Sequence, residues 1–259
     1  MPNAIRSPGK SARLPVEAGL LAVVFVSLLW LERRSPIRSE APHQLRRRLA
    51  NAAIGAAASV VAAALLAPVT ELAARIVERR RLGVVPLLRL PPIAERAVAL
   101  LLLDHGLYRW HALLHRVPAL WRWHLVHHAD GELDVSTALR FHAVEILWSV
   151  PWHAANVLWI GVRPATLRLW TALASAEILF HHANIGLPER VERWLGRIVV
   201  TPRQHRIHHS NVAAHQRSNL SSGLSVWDSV YGTSRHDLDA GAITLGPPIG
   251  DAPDDEPRR

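Results

Sequence analysis

The chain has 259 residues, 49% of them hydrophobic, with a formal net charge of +9 and no cysteine. Without cysteine there is no disulfide framework, no thiolate-bound zinc and no iron–sulfur cluster, so any metal must be held by nitrogen and carboxylate ligands. The positive charge does not point to nucleic acid. The basic residues are almost entirely arginine and gather beside apolar runs, as at Arg33, Arg34, Arg38 and Arg46–Arg48, and again at Arg75 and Arg79–Arg81. Anchoring at a membrane interface explains that placement better than a phosphate groove.

Five apolar regions follow in chain order. Residues 15–31 are apolar apart from Glu17, and Glu32, Arg33 and Arg34 follow them with no small-residue cleavage site, so this run reads as an anchor rather than a signal peptide. Residues 49–70 are alanine-rich and carry no charge. Both approach the ~20 residues a helix needs to cross a bilayer. Residues 93–114 form a third span that contains Asp104, His105, Arg109 and His111. Ionisable groups at such depth face a protein interior or a cavity. The regions 143–162 and 165–180, parted by Gly161-Val162-Arg163-Pro164, read as a helical hairpin whose second arm starts at Pro164. The expected fold is all-α: an integral-membrane bundle of about four to five hydrophobic helices carrying a cytosolic, histidine-rich, metal-binding cap. Residues 1–92 are expected to be anchor helices and interfacial loops, 93–234 the catalytic domain, and 235–259 a polar, flexible tail. The positive-inside rule supports a cytoplasmic cap through Arg33–Arg48, whereas Arg75–Arg89 then fall outside, so the charge pattern is mixed.

Ten of the sixteen histidines fall into four tight groups: His111 and His115; His124, His127 and His128; His181 and His182; His205, His208 and His209. Residues three or four apart share a helical face, with roughly 5–6 Å between Cβ atoms. Each triplet can therefore aim its rings at one spot, while His111 and His115 stand one turn apart. One ion cannot accept ten imidazoles, so two ions sharing the groups is the economical arrangement, built on inward-pointing helices. A single pair such as His111 and His115 arises by chance on many helices, but two His-x-x-His-His triplets in one chain do not fit a structural role, because unpaired buried rings are costly. The neighbours His181 and His182 diverge by about 100°, so only one of them is expected to face the site, and this pair is the least secure of the four groups. Imidazole suits zinc, copper, iron and nickel alike.

The run from Leu120 to His128, preceded by His111 to Arg116, resembles the histidine boxes of the fatty acid hydroxylase and sterol desaturase superfamily. Arg140-Phe141-His142 with Glu145, then Phe180 to Ile185, His205 to His209, Asn219, and Trp227-Asp228 through Gly232-Thr233 follow in that family's order. The resemblance covers roughly residues 93–234. It implies an integral-membrane, non-haem di-iron enzyme that uses O2 and reducing equivalents to hydroxylate or desaturate a fatty acyl chain, sterol or carotenoid. It also implies His111, His124, His127, His205 and His208 on one Fe2+, and His115, His128, His181 and His209 on the other. Glu177 stands where some relatives have a histidine; it is expected to ligate or bridge iron, the alternative being that it only accepts a hydrogen bond from a ligand ring.

Around these ligands, Asp104, Tyr108 and His111 share a helical ridge, so Asp104 either orients Tyr108 or satisfies another buried polar group. His142, Glu145, His182, His215 and Asn219 are expected to brace the metal loops or meet substrate. No haem-binding or dinucleotide fingerprint appears, so electrons are expected from a separate donor protein; the other partners are a lipid substrate and the membrane, and no nucleic acid. Three other classes compete. A zinc hydrolase needs an open metal position and a general base. A metal transporter needs ligands along a transmembrane path. A scaffold leaves the four histidine groups unexplained.

Overall fold

A computed structural model describes residues 13–39 and 44–248. His43 and the distal part of the expected tail, 249–259, lie outside the described residues. Every regular element among the described residues is helical, and two isolated β-bridges, Val199 with Leu224 and Ser210 with Leu245, supply the extended pairings.

The expected apolar regions become five long helical segments. Helix α1 covers Arg13–Arg34. Helix α2, Gln44–Val61, runs through a π-helical stretch, Ala62–Leu66, into α3, Ala67–Arg80, and a short α4, Val84–Leu87, follows. By length and composition the run Gln44–Leu87 is the one candidate membrane span among the described residues. Helix α5 is Pro92–Arg116; its proline sits in the first turn, where a missing N–H costs nothing, and Glu95 there and Arg116 in the last turn suit the helix dipole. The hairpin forms as read. Helix α7, Ala143–Ile160, ends at Gly161 in the left-handed region (φ 88°), and α8, Pro164–His182, begins at the proline. Gly161 also touches Gly83 (φ 96°) in the turn before α4, so closely that a Cβ on either would overlap the other's turn.

The five segments alternate in direction. Their far ends meet where Arg163 pairs with Glu95 at 2.9 Å and where Ala73, Ala74, Val85, Ala99, Val157 and Ile160 are buried together. At the opposite end lie the C-termini of α1, α5 and α8 and the N-termini of α2 and α7, together with the short cap helices. These are α6 (Pro118–His128), α9 (Glu189–Leu195), α10 (Pro202–His208), α11 (Ala213–Gln216) and α12 (Val226–Tyr231). The α7–α8 hairpin therefore leaves the histidine end and returns to it.

The N-terminal helices also hold the cap. Glu32, at the end of α1, accepts the backbone N–H groups of Val135 and Asn184, both at 2.8 Å, tying the loops that follow α6 and α8. From α2, Arg47 pairs with Asp130 at 2.8 Å and with Asp134, and Asn51 donates to Asp130 and Ser136. Arg140 closes this network, donating to Asn51 and to the Val126 carbonyl on α6. Away from the cap, the bundle's outer surface is apolar: Val23, Val60, Leu72, Trp148, Trp159 and Leu173 are all exposed.

Candidate metal centre

The ten grouped histidines converge at the cap end, and nine of them form two clusters. His111 and His115 of α5, His124 and His128 of α6 and His208 of α10 make one; His127 of α6, His182 of α8, and His205 and His209 of α10 and its C-cap make the other. Within each cluster the candidate ligand atoms lie within 4.8 Å of one another.

This division differs from the one expected from the family pattern, and helix geometry says why. Each residue turns the helix by about 100°, so positions i and i+4 differ by about 40° while adjacent positions diverge fully. Each His-x-x-His-His triplet accordingly splits. Its i and i+4 members share a cluster and its middle histidine crosses to the other: His124 and His128 against His127, His205 and His209 against His208. The two triplets are deployed in opposite senses, so that the i, i+4 pair of one meets the middle ring of the other.

Only one of the neighbours on α8 joins a cluster, and it is His182 rather than His181. The His182 Nδ1 donates to the Ile178 carbonyl one turn back at 2.7 Å, which turns Nε2 to within 3.0 Å of Nε2 of both His127 and His205. His181 packs beside His205, ring centroids 4.0 Å apart, and its hydrogen-bond partner is the Ser222 backbone. Glu177 also departs from expectation. Its carboxylate stands with that of Asp104 over Gly223, where a Cβ would collide with both, and it belongs to neither histidine cluster. Asp104 accepts from Trp227 Nε1 at 2.6 Å and from the Leu224 N–H at 3.1 Å, whereas the Tyr108 hydroxyl pairs with Thr233, so Asp104 does not orient Tyr108.

The remaining expected residues frame the clusters. Glu145, in the first turn of α7, accepts from Nδ1 of His124 at 3.1 Å. His142 caps the same helix, its Nδ1 accepting the Val144 N–H. Asn219, in the left-handed region at φ 50°, donates to the carbonyls of Gln204 and Arg235 and accepts from the Arg235 N–H, holding α10 to the chain after α12. His215 pairs with the Ser210 hydroxyl outside the clusters. Three contributors were not assigned from the sequence. The Leu220 carbonyl accepts from His111 Nδ1 at 2.8 Å, and the Ser218 carbonyl from His208 Nδ1 at 2.9 Å. Asp228 fixes that loop by accepting the N–H groups of Leu220 and Ser221 and the Thr233 hydroxyl. The signal for Asp228 was present in the Trp227-Asp228 motif, but its partner loop was not legible.

These partners determine the tautomers. A carbonyl oxygen can only accept, so the protons of His111, His182 and His208 sit on Nδ1 and their Nε2 atoms are bare lone pairs. The carboxylate of Glu145 does the same for His124. Yet Nε2 of His111 lies 3.2 Å from Nε2 of His124, and Nε2 of His208 has no hydrogen-bond partner at all. Bare lone pairs facing one another in a buried site repel unless a cation lies between them. The spacing suits one: nitrogens at right angles about a metal ~2.1 Å away stand ~3 Å apart. Burial holds His127, His128, His205 and His209 well below the usual histidine range and His208 at about 3, so the rings are neutral ligands at physiological pH. The donor set therefore fits two ions of a metal that accepts imidazole, iron among them.

The fatty acid hydroxylase family pattern matches residues 96–233. Ornithine lipid hydroxylase OlsE of Rhizobium tropici is 35% identical over 144 residues, which are 55% of this chain and 42% of that protein. Alkylglycerol monooxygenase of Homo sapiens is 28% identical over 139 residues, 52% of this chain and 29% of the relative, and the Danio rerio protein of that name is 29% identical over 157. The matched part thus spans less than half the length of these curated relatives. No solved structure matches the chain. The matched region covers more than half of this chain and contains every histidine of both clusters, and on that ground the protein belongs to the fatty acid hydroxylase family.

Proposed function

We propose that the protein is a membrane-bound, non-haem di-iron oxygenase that hydroxylates a polar membrane lipid, drawing electrons from a separate donor protein. The observation that carries this reading is the pair of buried imidazole clusters whose bare nitrogens face one another at the end of an apolar-skinned bundle. Hydroxylation is favoured over desaturation because the named relatives are hydroxylases and monooxygenases of lipids. In this reading α1, α2–α3, α5, α7 and α8 cross the bilayer, residues 93–234 form the catalytic part, and the cap faces the cytoplasm beside the arginines at 33–48.

The first Fe2+ is assigned to His111, His115, His124, His128 and His208, and the second to His127, His182, His205 and His209. Bound there, iron with O2 supplies the oxidising chemistry that inert C–H bonds demand. The chain's own part is to hold and shield. Carbonyls of Leu220, Ser218 and Ile178 and the carboxylate of Glu145 keep the proton on Nδ1, so that each of those rings presents Nε2 in one fixed direction. Phe141 stacks on His127 at 4.6 Å, and Trp121 lies over His115 and His128, excluding water from the rings. One oxygen atom then enters the substrate and the other leaves as water, with two electrons from the donor and two protons.

The test is to purify the protein without added metal, measure iron and zinc, and supply bacterial lipid extract, a chemical reductant and isotopically labelled O2. Iron in near stoichiometry and a lipid heavier by one labelled oxygen are expected. Stoichiometric zinc with no O2 consumption would sink the oxygenase in favour of a hydrolase, and a lipid lighter by two hydrogens would replace hydroxylation by desaturation.

A further inference from the structure

The cap buries most of its apolar side chains, but one strip does not follow that rule. On α9 and the turn after it, Val191, Trp194 and Ile198 are exposed, Trp194 to 64%. At about 100° per residue these three fall on one stripe, and Arg190, Arg193 and Arg197 form an exposed row along its edge. The opposite side of the helix faces the protein, where Gln204 donates to the Gly196 carbonyl and Glu192 meets the Thr201 hydroxyl.

The strip continues onto α12. The Ile198 carbonyl accepts the Ser225 N–H at 3.1 Å and Val199 bridges Leu224, which brings the exposed Val226 and Val230 next to it. The position of α12 along the bundle then says what it faces. Tyr231 bonds His105 at 2.7 Å and stacks on Tyr108, and Trp227 bonds Asp104. His105 precedes His111 and His115 on α5, about 9 Å and about 15 Å along the helix axis respectively, toward the far end of the bundle. The exposed valines of α12 therefore lie on the bundle side of the metal centre, level with the interior of α5 and not with the top of the cap.

We propose that this strip seats the cap in the boundary between headgroups and acyl chains of an anionic lipid leaflet, with Trp194 as the anchor and the three arginines on lipid phosphates. Tryptophan prefers that boundary, and arginine can place its stem along apolar surface while its head meets an anion. The inference rests on the reading that the bundle crosses a bilayer.

The absence of native cysteine makes the test clean. Single cysteines are introduced into the full chain as Trp194→Cys, Val230→Cys, Val60→Cys on the bundle and Val212→Cys elsewhere on the cap. Each is labelled with an environment-sensitive fluorophore and reconstituted into bilayers of phosphatidylcholine with or without phosphatidylglycerol, containing nitroxide-labelled lipid as a quencher. Labels at 194 and 230 are expected to be quenched by the lipid nitroxide several-fold more than the label at 212. Quenching at 194 should rise with phosphatidylglycerol, and Arg190→Gln, Arg193→Gln and Arg197→Gln together should abolish that rise. If 60 reports lipid while 194 and 230 match 212, the inference falls and the bilayer reading stands. Labels at 194 and 230 shielded from both lipid and water would mean a protein covers the strip, which also overturns it. A label at 60 that reports water overturns both.

Discussion

The two histidine clusters are built from similar rings but braced to different degrees. In the five-histidine cluster, His111, His124 and His208 each place Nδ1 on a protein oxygen. In the four-histidine cluster only His182 does so, while Nδ1 of His127, His205 and His209 has no partner. The difference arises from the chain around them. The first cluster is wrapped by the α7 N-terminus and by the loop that Asp228 organises, whereas the second takes its one brace from the Ile178 carbonyl within α8. A braced ring keeps its tautomer and direction without metal, and an unbraced ring acquires them only when metal binds. The first cluster is therefore the preorganised one, and the second is the one expected to exchange its ion more readily.

The sharpest way to break this comparison is to remove a ring from the second cluster. His182→Ala is expected to lower activity on the order of a hundredfold or more and to roughly halve bound iron, whereas His181→Ala should keep its iron. Metal analysis of the two purified proteins checks this, and the reverse result would restore His181 as the ligand. A smaller effect tests the bracing itself. Chelator titration of the native protein should release metal in two steps, and Glu145→Gln should weaken the tighter step by about 10- to 100-fold, drawing the two together. Asp228→Asn should act in the same direction through the Leu220 carbonyl. A tight step unmoved in both variants would show that bracing does not set affinity.

The smallest effect is on pH. Folded His205, His208 and His209 are held below the ordinary value of 6.5 by burial, His208 at about 3. The unfolded chain takes up protons below about 6.5 while the folded rings do not. Stability of the metal-free protein is therefore full above that value and declines as pH falls through it toward the folded values. Melting in detergent at about pH 7.5 and about pH 5 should show a loss of a few degrees without metal. Metal-loaded protein should hold its stability further into acid, and a flat metal-free profile would contradict the burial of neutral rings.

Much of this was legible locally. Apolar runs bounded by arginines and prolines marked the long helices to within a few residues, apart from the second, where a charge-free core at 49–70 grew into Gln44–Arg80 because the polar flanks are helical as well. Histidine spacing announced two sets of clustered rings because positions one turn apart share a face whatever surrounds them. The rotation of the helices was not legible. Nothing between Leu179 and Ala183 says which of two adjacent rings faces the cavity; that is decided by how α8 packs on α1 and α10 and by the Ile178 carbonyl. Glu177 sits one turn from His181 as expected, but His181 itself stands outside the clusters, and the carboxylate goes with it toward Asp104. The role of α1 and α2 was hidden for another reason. Glu32, Arg47 and Asn51 meet partners some 80 to 150 residues away, at Asp130, Asp134, Val135 and Asn184, and a pairing over that distance leaves no periodicity to read.

The amino-acid sequence by itself determined the grouping of imidazoles, the helical scaffold and the apolar surface, since each follows from residue type and from a repeat of three or four residues along one helix. The tertiary structure alone decided which rings cluster together, which are braced and which carboxylates stay outside. Those outcomes depend on the rotation of each helix about its axis and on loop carbonyls brought from distant parts of the chain, and packing sets both.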